Sequence, residues 1–208
     1  MMFISYILIG LIVLILFFWK FIFLRNPNRN IPQEQNIIVS PADGKVIKIL
    51  EFKDKKVTLY KGNKRYLGLI NTLTTEVSDS GYIVSIFMNL NDVHHNRTPI
   101  SGEVISVHHS NGKFLPVNTF EAGLVNEKSE ILIKGDNITV KMIQIAGFLA
   151  RRVVTHVKPS EKVKIGDVIG LINLGSQVTL VMPSNIEIKI KQGDRVIAGE
   201  SILAKINS

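Results

Sequence analysis

The sequence predicts a mainly β (α+β) fold, a β-sandwich or barrel-sandwich-like domain behind an N-terminal transmembrane helix. Three observations carry this expectation. From Phe3 to Leu24 the chain is apolar, interrupted only by Ser5, Tyr6, Gly10 and Lys20, and about 20 such residues are enough to cross a bilayer as a helix. Further on, short β-branched runs recur between Gly, Asp and Asn punctuation, as in sandwiches and barrels. Near the C-terminus a Gly-Asp turn followed by a second glycine occurs twice, in Val163-Lys-Ile-Gly-Asp-Val-Ile-Gly170 and Ile190-Lys-Gln-Gly-Asp-Arg-Val-Ile-Ala-Gly199.

Taken in order, residues 1–24 read as a retained anchor. A cleaved signal peptide would have a shorter apolar region, positive charge before it and small residues after it. Here the first charge is Lys20, and Phe17, Phe18, Trp19, Phe21 and Phe23 crowd the far end, which suits an interfacial aromatic belt. Lys20, Arg25 and Arg29 follow the span, so the positive-inside rule places the globular part on the cytoplasmic side of a cell membrane. Residues 25–36, rich in Pro and Asn without periodicity, read as a linker.

Residues 37–208 form the globular domain. Strands are expected over 37–40, 45–50, 56–60, 82–88, 103–107, 130–134 and 138–145. Only 146–154 has helical potential, weakened by Gly147, Val153 and Val154. The two Gly-Asp copies read as strand-turn-strand units of one sandwich, similar to lipoyl- and biotinyl-type barrel sandwiches. Repeat arrays need at least three copies, so they are no solenoid.

With 208 residues the chain can bury a core without staples. It has no cysteine, which excludes disulfides, zinc-thiolate sites and cysteine nucleophiles. The formal net charge of +8 favours an anionic partner. The basic residues are scattered and lack interleaved aromatics, so an anionic membrane surface is preferred to nucleic acid.

Several segments place polar residues where a core would prefer none. In Ser40-Pro-Ala-Asp-Gly-Lys45, Asp43 stands at the mouth of a strand; alone it reads as a turn. Asn91-Asp-Val-His-His-Asn-Arg-Thr-Pro99 gathers Asp92, His94, His95 and Arg97, and histidine is the natural proton carrier near neutral pH. Ser106-Val-His-His-Ser-Asn-Gly-Lys-Phe-Leu115 reads as a polar loop. Gln144-Ile-Ala-Gly-Phe-Leu-Ala-Arg-Arg152 ends in paired arginines whose planar forks suit a phosphate. Leu174-Gly175-Ser176-Gln177 contains a Gly-Ser bond, on its own an ordinary tight turn.

In this order and spacing, together with Asn126-Glu127, the segments resemble the phosphatidylserine decarboxylase family, especially its short membrane-anchored members, from about Phe23 to Lys205. Departures are Leu174 for phenylalanine, Gln177 and Lys128 for arginine, and Arg97 where longer members carry a second histidine. The resemblance implies a pyruvoyl-dependent decarboxylase domain that cuts itself between Gly175 and Ser176. Ser176 would attack the Gly175 carbonyl, with His94 removing its proton and Asp43 orienting the histidine. The products would be chains 1–175 and 176–208, the smaller beginning with a pyruvoyl group made from Ser176. That group would form a Schiff base with the amine of an anionic serine phospholipid (phosphatidylserine or archaetidylserine) and serve as the electron sink for loss of CO₂. His95 is the alternative proton carrier for one of the two tasks. Arg97, Arg151 and Arg152 are the candidate contacts to the headgroup, and no metal is implied. The competing readings are a non-enzymatic membrane-anchored adaptor with a lipoyl-like sandwich and a tethered metallopeptidase. The first leaves Asp43, His94 and the Gly-Ser pair unexplained, and the second lacks a ligand set at recognisable spacing.

Overall fold

The computed structural model describes residues 2–54, 67–148, 152–173 and 175–207. The expected strand 56–60 and Arg151 lie outside them. The chain opens with helix α1 (Met2–Phe17), which widens into a π-helical turn over Phe18–Phe23. The stretch Ile4–Phe23 has a mean hydropathy of 2.6 and is exposed over Ile4–Phe17, with Phe23 at its end buried. It meets the membrane-spanning criterion by length and composition.

The domain is mostly β. An eight-stranded antiparallel sheet curls into a half-barrel in the order β13-β2-β3-β11-β7-β6-β5-β9. These strands are β2 (Gly44–Phe52), β3 (Gly81–Met88), β5 (Gly102–Ser110), β6 (Lys128–Lys134), β7 (Thr139–Ile145), β9 (Lys162–Val163), β11 (Ser176–Pro183) and β13 (Arg195–Val196). Two small sheets close it. One joins β1 (Ile37–Val39), β14 (Ile202–Ile206) and β12 (Ile186–Ile188), and the other β4 (His95–Arg97), β10 (Val168–Ile172) and β8 (Val153–Thr155).

Strand alternation sorts the large sheet into two faces. Val84, Ile86, Met88, Val178, Leu180 and Met182 face the main core with residues of the small sheets. Ile83, Val181, Ile143 and Ile145 face the other way, under two short helices, α2 (Leu67–Thr74) and α3 (Phe120–Val125). Each helix contributes two apolar side chains on one face: Ile70 and Leu73, then Phe120 and Leu124. Neither was expected from sequence, because a one- or two-turn helix has too few residues to display a 3.6-residue period. The segment given helical potential is instead, where described, a bend leading into β8. Its β-branched Val153-Val154-Thr155 pairs with β10. The supposed loop at His108 and His109 is also strand, since β5 runs on to Ser110.

The sequence repeat is a structural repeat. Gly166 and Gly193 both adopt positive φ, 85° and 101°. In each turn the aspartate accepts a backbone N–H three residues back: Lys164 to Asp167 at 2.7 Å and Lys191 to Asp194 at 2.9 Å. Residues 25–36, read as a linker, run as a strap fastened to the domain. Arg97 donates to Asn26 Oδ1 (2.7 Å), Arg29 to Asp43 (2.9 Å) and the Asn30 N–H to Glu200 (3.0 Å). Ile31 packs against Gly166 and Gly199, where a Cβ would overlap its side chain.

Candidate active site

The Gly175–Ser176 bond lies at the entrance to β11, the strand flanked by β3 and β7. Ser176 is its first residue, opposite Met88. Its position in the alternation turns it to the core side with Val178, and it is fully buried. Its hydroxyl donates to Met88 Sδ at 3.3 Å. A thioether is a weak acceptor, so the nucleophile candidate is held without a strong competing bond. Gly175 adopts φ +69°, a left-handed conformation natural to glycine. Its carbonyl oxygen presses so closely on Gly147 that a Cβ at position 147 would overlap it. The Ile-Ala-Gly motif thus has a packing reason: only a glycine admits the carbonyl that Ser176 would attack. Beside Gly175 opens a cleft of about 300 Å³ lined by Phe87, Pro116, Val117, Asn118 and Phe148. A buried hydroxyl and a closely packed carbonyl thus meet at one peptide bond beside an open cleft.

His94 lies in the connection from β3 to β4 and is fully buried. This connection is tied to the scissile turn at both ends. Met88 pairs with Ser176, and the Ile172 N–H donates to the His94 carbonyl at 3.3 Å. The His94 ring is oriented by Nδ1, 2.8 Å from the Asp92 carbonyl. A carbonyl only accepts, so Nδ1 carries the proton and Nε2 is left with its lone pair. Nε2 has no hydrogen-bond partner. Burial pushes the His94 pKa down to about 4, outweighing the opposing effects of Asp92 and Asp43. The imidazole is therefore neutral at physiological pH, the state a base needs. Asp92 is itself fixed by Arg195 and by the Asn89 N–H at 2.8 Å.

Asp43 does not hold this ring directly. Its carboxylate takes the Arg29 guanidinium through both oxygens and the Ala198 N–H at 2.8 Å. Its effect on His94 is through space, raising the pKa slightly. The orienting bond expected from Asp43 comes instead from the Asp92 backbone, a partner that sequence spacing does not reveal. Its immediate neighbour His95, half-buried on β4, is bonded to the Leu24 backbone, and burial lowers its pKa as well. Arg97 is committed to the strap and to the Gly166 carbonyl at 2.8 Å rather than open to a ligand. Arg152 is exposed, and its carbonyl accepts the Asn173 N–H at 3.4 Å, two residues before Gly175.

Three features escaped the sequence reading. Met88 could have been found by pairing strands through alternation. The second is a buried polar chain behind Met88. Asn96 Nδ2 contacts its sulfur at 3.8 Å, Gln144 donates to Asn96 at 2.8 Å, and the Thr155 hydroxyl donates to Gln144 Oε1 and is hydrogen-bonded to the Ser129 hydroxyl. The third is Phe23, whose ring lies 4.4 Å from that of His94; no local signal links those positions. Gln177, by contrast, points to the helix face, donating to Thr179 at 3.1 Å and packing on Gly123. The departure from arginine there is thus turned away from the Ser176 side.

Comparisons with known proteins show the family. A sequence model of the phosphatidylserine decarboxylase family matches residues 15–204. A phosphatidylserine decarboxylase proenzyme of Carboxydothermus hydrogenoformans is 35% identical over 95% of this chain and 84% of its own length. Putative archaetidylserine decarboxylase proenzymes of Methanocaldococcus jannaschii (37% identical; 88% of this chain, 87% of the relative) and Methanothermobacter thermautotrophicus (39%; 96% and 86%) are similar to the same extent. With a profile spanning nearly all of the domain and relatives aligned over most of both chains, the protein belongs to the phosphatidylserine decarboxylase family.

Proposed function

We propose that this chain is a self-processing decarboxylase of serine phospholipids that works through a pyruvoyl group made from Ser176. The observation that carries the reading is the Gly175–Ser176 bond itself. Its Ser176 side is buried, with Gly175 in the left-handed region and its carbonyl seated against Gly147, in a family whose relatives are named as proenzymes.

In processing, Ser176 Oγ adds to the Gly175 carbonyl carbon as its proton passes to His94 Nε2. The C–N bond then breaks, and the peptide becomes an ester. Loss of the Ser176 α-proton expels the Gly175 carboxylate, and water releases ammonia from the resulting enamine. The pyruvoyl group so formed supplies a ketone for the lipid amine and an electron sink for the departing CO₂. His94 Nε2, neutral and free of other bonds, is suited to accept a proton and, once it has accepted one, to return it. For that transfer the Ser176 hydroxyl must leave Met88 Sδ.

The substrate class follows from the relatives, named for phosphatidylserine and archaetidylserine alike. The apolar helix would anchor the domain in the cell membrane with the catalytic part on the cytoplasmic side, where Lys20, Arg25 and Arg29 belong. Tethering raises the effective concentration of a lipid headgroup at the site. Arg152, exposed and joined through its carbonyl to the Asn173 N–H two residues before Gly175, is the candidate headgroup contact; Arg151 is proposed with it on sequence grounds. The mature enzyme would be a complex of chains 1–175 and 176–208. Mass analysis of the purified protein under denaturing conditions tests this. Two chains are expected, the smaller blocked at its N-terminus, and a single intact chain after Ser176→Ala. An intact 208-residue chain from active membranes would sink the proposal.

A further inference from the structure

We propose that the last turn of the N-terminal helix is a wall of the active site, and that Phe23 is the positioning residue that seals His94 and sets its proton affinity. The inference rests on the reading of His94 as the base. It gives the membrane segment a part in the chemistry beyond tethering.

Most of the helix touches nothing in the domain: Ile4, Ile7, Leu11 and Leu14 are all more than half exposed. Phe23 is the exception, with no exposed surface. Its ring is tilted 41° to the His94 ring at 4.4 Å, and Trp19 stacks behind it at 4.8 Å. The helix changes from α to π geometry over these residues, and the Leu24 N–H bonds to the Trp19 carbonyl at 3.0 Å, five residues back. Single π turns of this kind recur at functional sites. Here the wider turn decides which face of the helix end meets the domain. Arg25 then pins the segment, bonding the Ile22 carbonyl within the helix and the Asn91 carbonyl in the loop that carries His94. Leu24 bonds His95. The anchor end is thus joined to both histidines and to the loop between β3 and β4.

The groups facing His94 are few and fixed. Asp92 offers its carbonyl and its charge, Arg25 lies on the strap, and Asp43 acts from the mouth of β2. The two carboxylates are paired with Arg195 and Arg29. None of these charges lowers the His94 proton affinity as much as burial does, and Phe23 is a ring in direct contact that supplies that burial. A neutral imidazole whose Nε2 is buried without a protein hydrogen-bond partner is a base free to take a proton. Removing Phe23 would open it to solvent.

The test is a direct titration of His94 by NMR with isotope-labelled histidine. The full chain carries Ser176→Ala, which keeps it as uniform precursor, and is held in detergent micelles. His94 should titrate near pH 4. Phe23→Ala should move it up toward 6.5, the ordinary histidine value, and Phe23→Leu, which keeps apolar bulk, should move it less. If Phe23→Ala disturbs the fold, Trp19→Ala, which removes the ring stacked behind, should shift it in the same direction by a smaller amount. Unchanged titration in a folded Phe23→Ala chain, or in Trp19→Ala if that is the folded variant, would overturn the inference. The base assignment is read separately: His94→Asn in a chain with native Ser176 should stop cleavage. Normal cleavage there removes the base reading while leaving the contact and its titration standing.

Discussion

Ser176 and His94 are held by different kinds of contact. Ser176 sits at the mouth of a ladder, opposite Met88 on β3 and in the strand that also pairs with β7. Its depth and direction follow from strand register. His94 lies in a connection between strands and depends on side chains from distant parts of the chain: Phe23 above the ring, Arg25 on the loop, and Arg195 on Asp92, whose carbonyl orients Nδ1. The proposed nucleophile is placed by a lattice of backbone bonds, and the proposed base by long-range packing. The Ser176 arm should therefore respond to steric changes at the backbone, and the His94 arm to pH and to lost partners.

The largest effect is expected on the Ser176 arm. Gly147→Ala puts a methyl where the Gly175 oxygen sits. Displacing a reacting carbonyl by ~1 Å lowers rates about a hundred-fold, and the rate at which chains 1–175 and 176–208 accumulate would report it. Cleavage at the normal rate would show that the close approach is not needed for processing. The next effect belongs to the His94 arm and is one of stability. An unfolded His94 takes up a proton as pH falls through 6.5, whereas the folded one resists until about 4. Between these values the unfolded state binds more protons, so stability falls as pH is lowered, by on the order of 3 kcal/mol at the acid end. Urea midpoints across that window should decline more steeply for the native chain than for His94→Asn. Equal slopes would place His94 in a wetter setting than its burial indicates. The smallest effect is expected from Arg195→Ala. This removes an exposed partner from Asp92, which keeps the Asn89 N–H, and should cost about 1 kcal/mol with cleavage slowed less than ten-fold. A complete loss of cleavage would mean that Asp92 depends on Arg195 to hold the His94 ring.

The parts legible in the sequence were those with a local physical cause. Alternating β-branched runs predicted β1, β2, β3, β5, β6 and β7, because such residues fit a pleated, half-buried surface wherever it is built. The Gly-Asp turns were visible because a positive φ and an aspartate that accepts its own neighbour's N–H are properties of four residues. Helices α2 and α3 were not visible, being too short to show a period and held by the sheet beneath them. Of the site, Ser176, Gly175 and His94 came from motif resemblance. The bonds that define their environments did not, since Asp43 engages Arg29 and Arg97 engages Asn26, each the product of a strap that in sequence looks like a spacer.

By itself, the sequence determined the β class of the domain and the apolar span, because pattern, length and residue type act locally; the Gly175–Ser176 bond was singled out only by the order of motifs along the whole chain. Only the tertiary structure decided that the end of the span closes over His94, that Asp92 orients the ring and that Gly147 receives the Gly175 carbonyl. Two of these contacts, Phe23 on His94 and Gly175 on Gly147, join residues far apart in the sequence. They arise from burial and close packing, which act through space and leave no spacing along the chain.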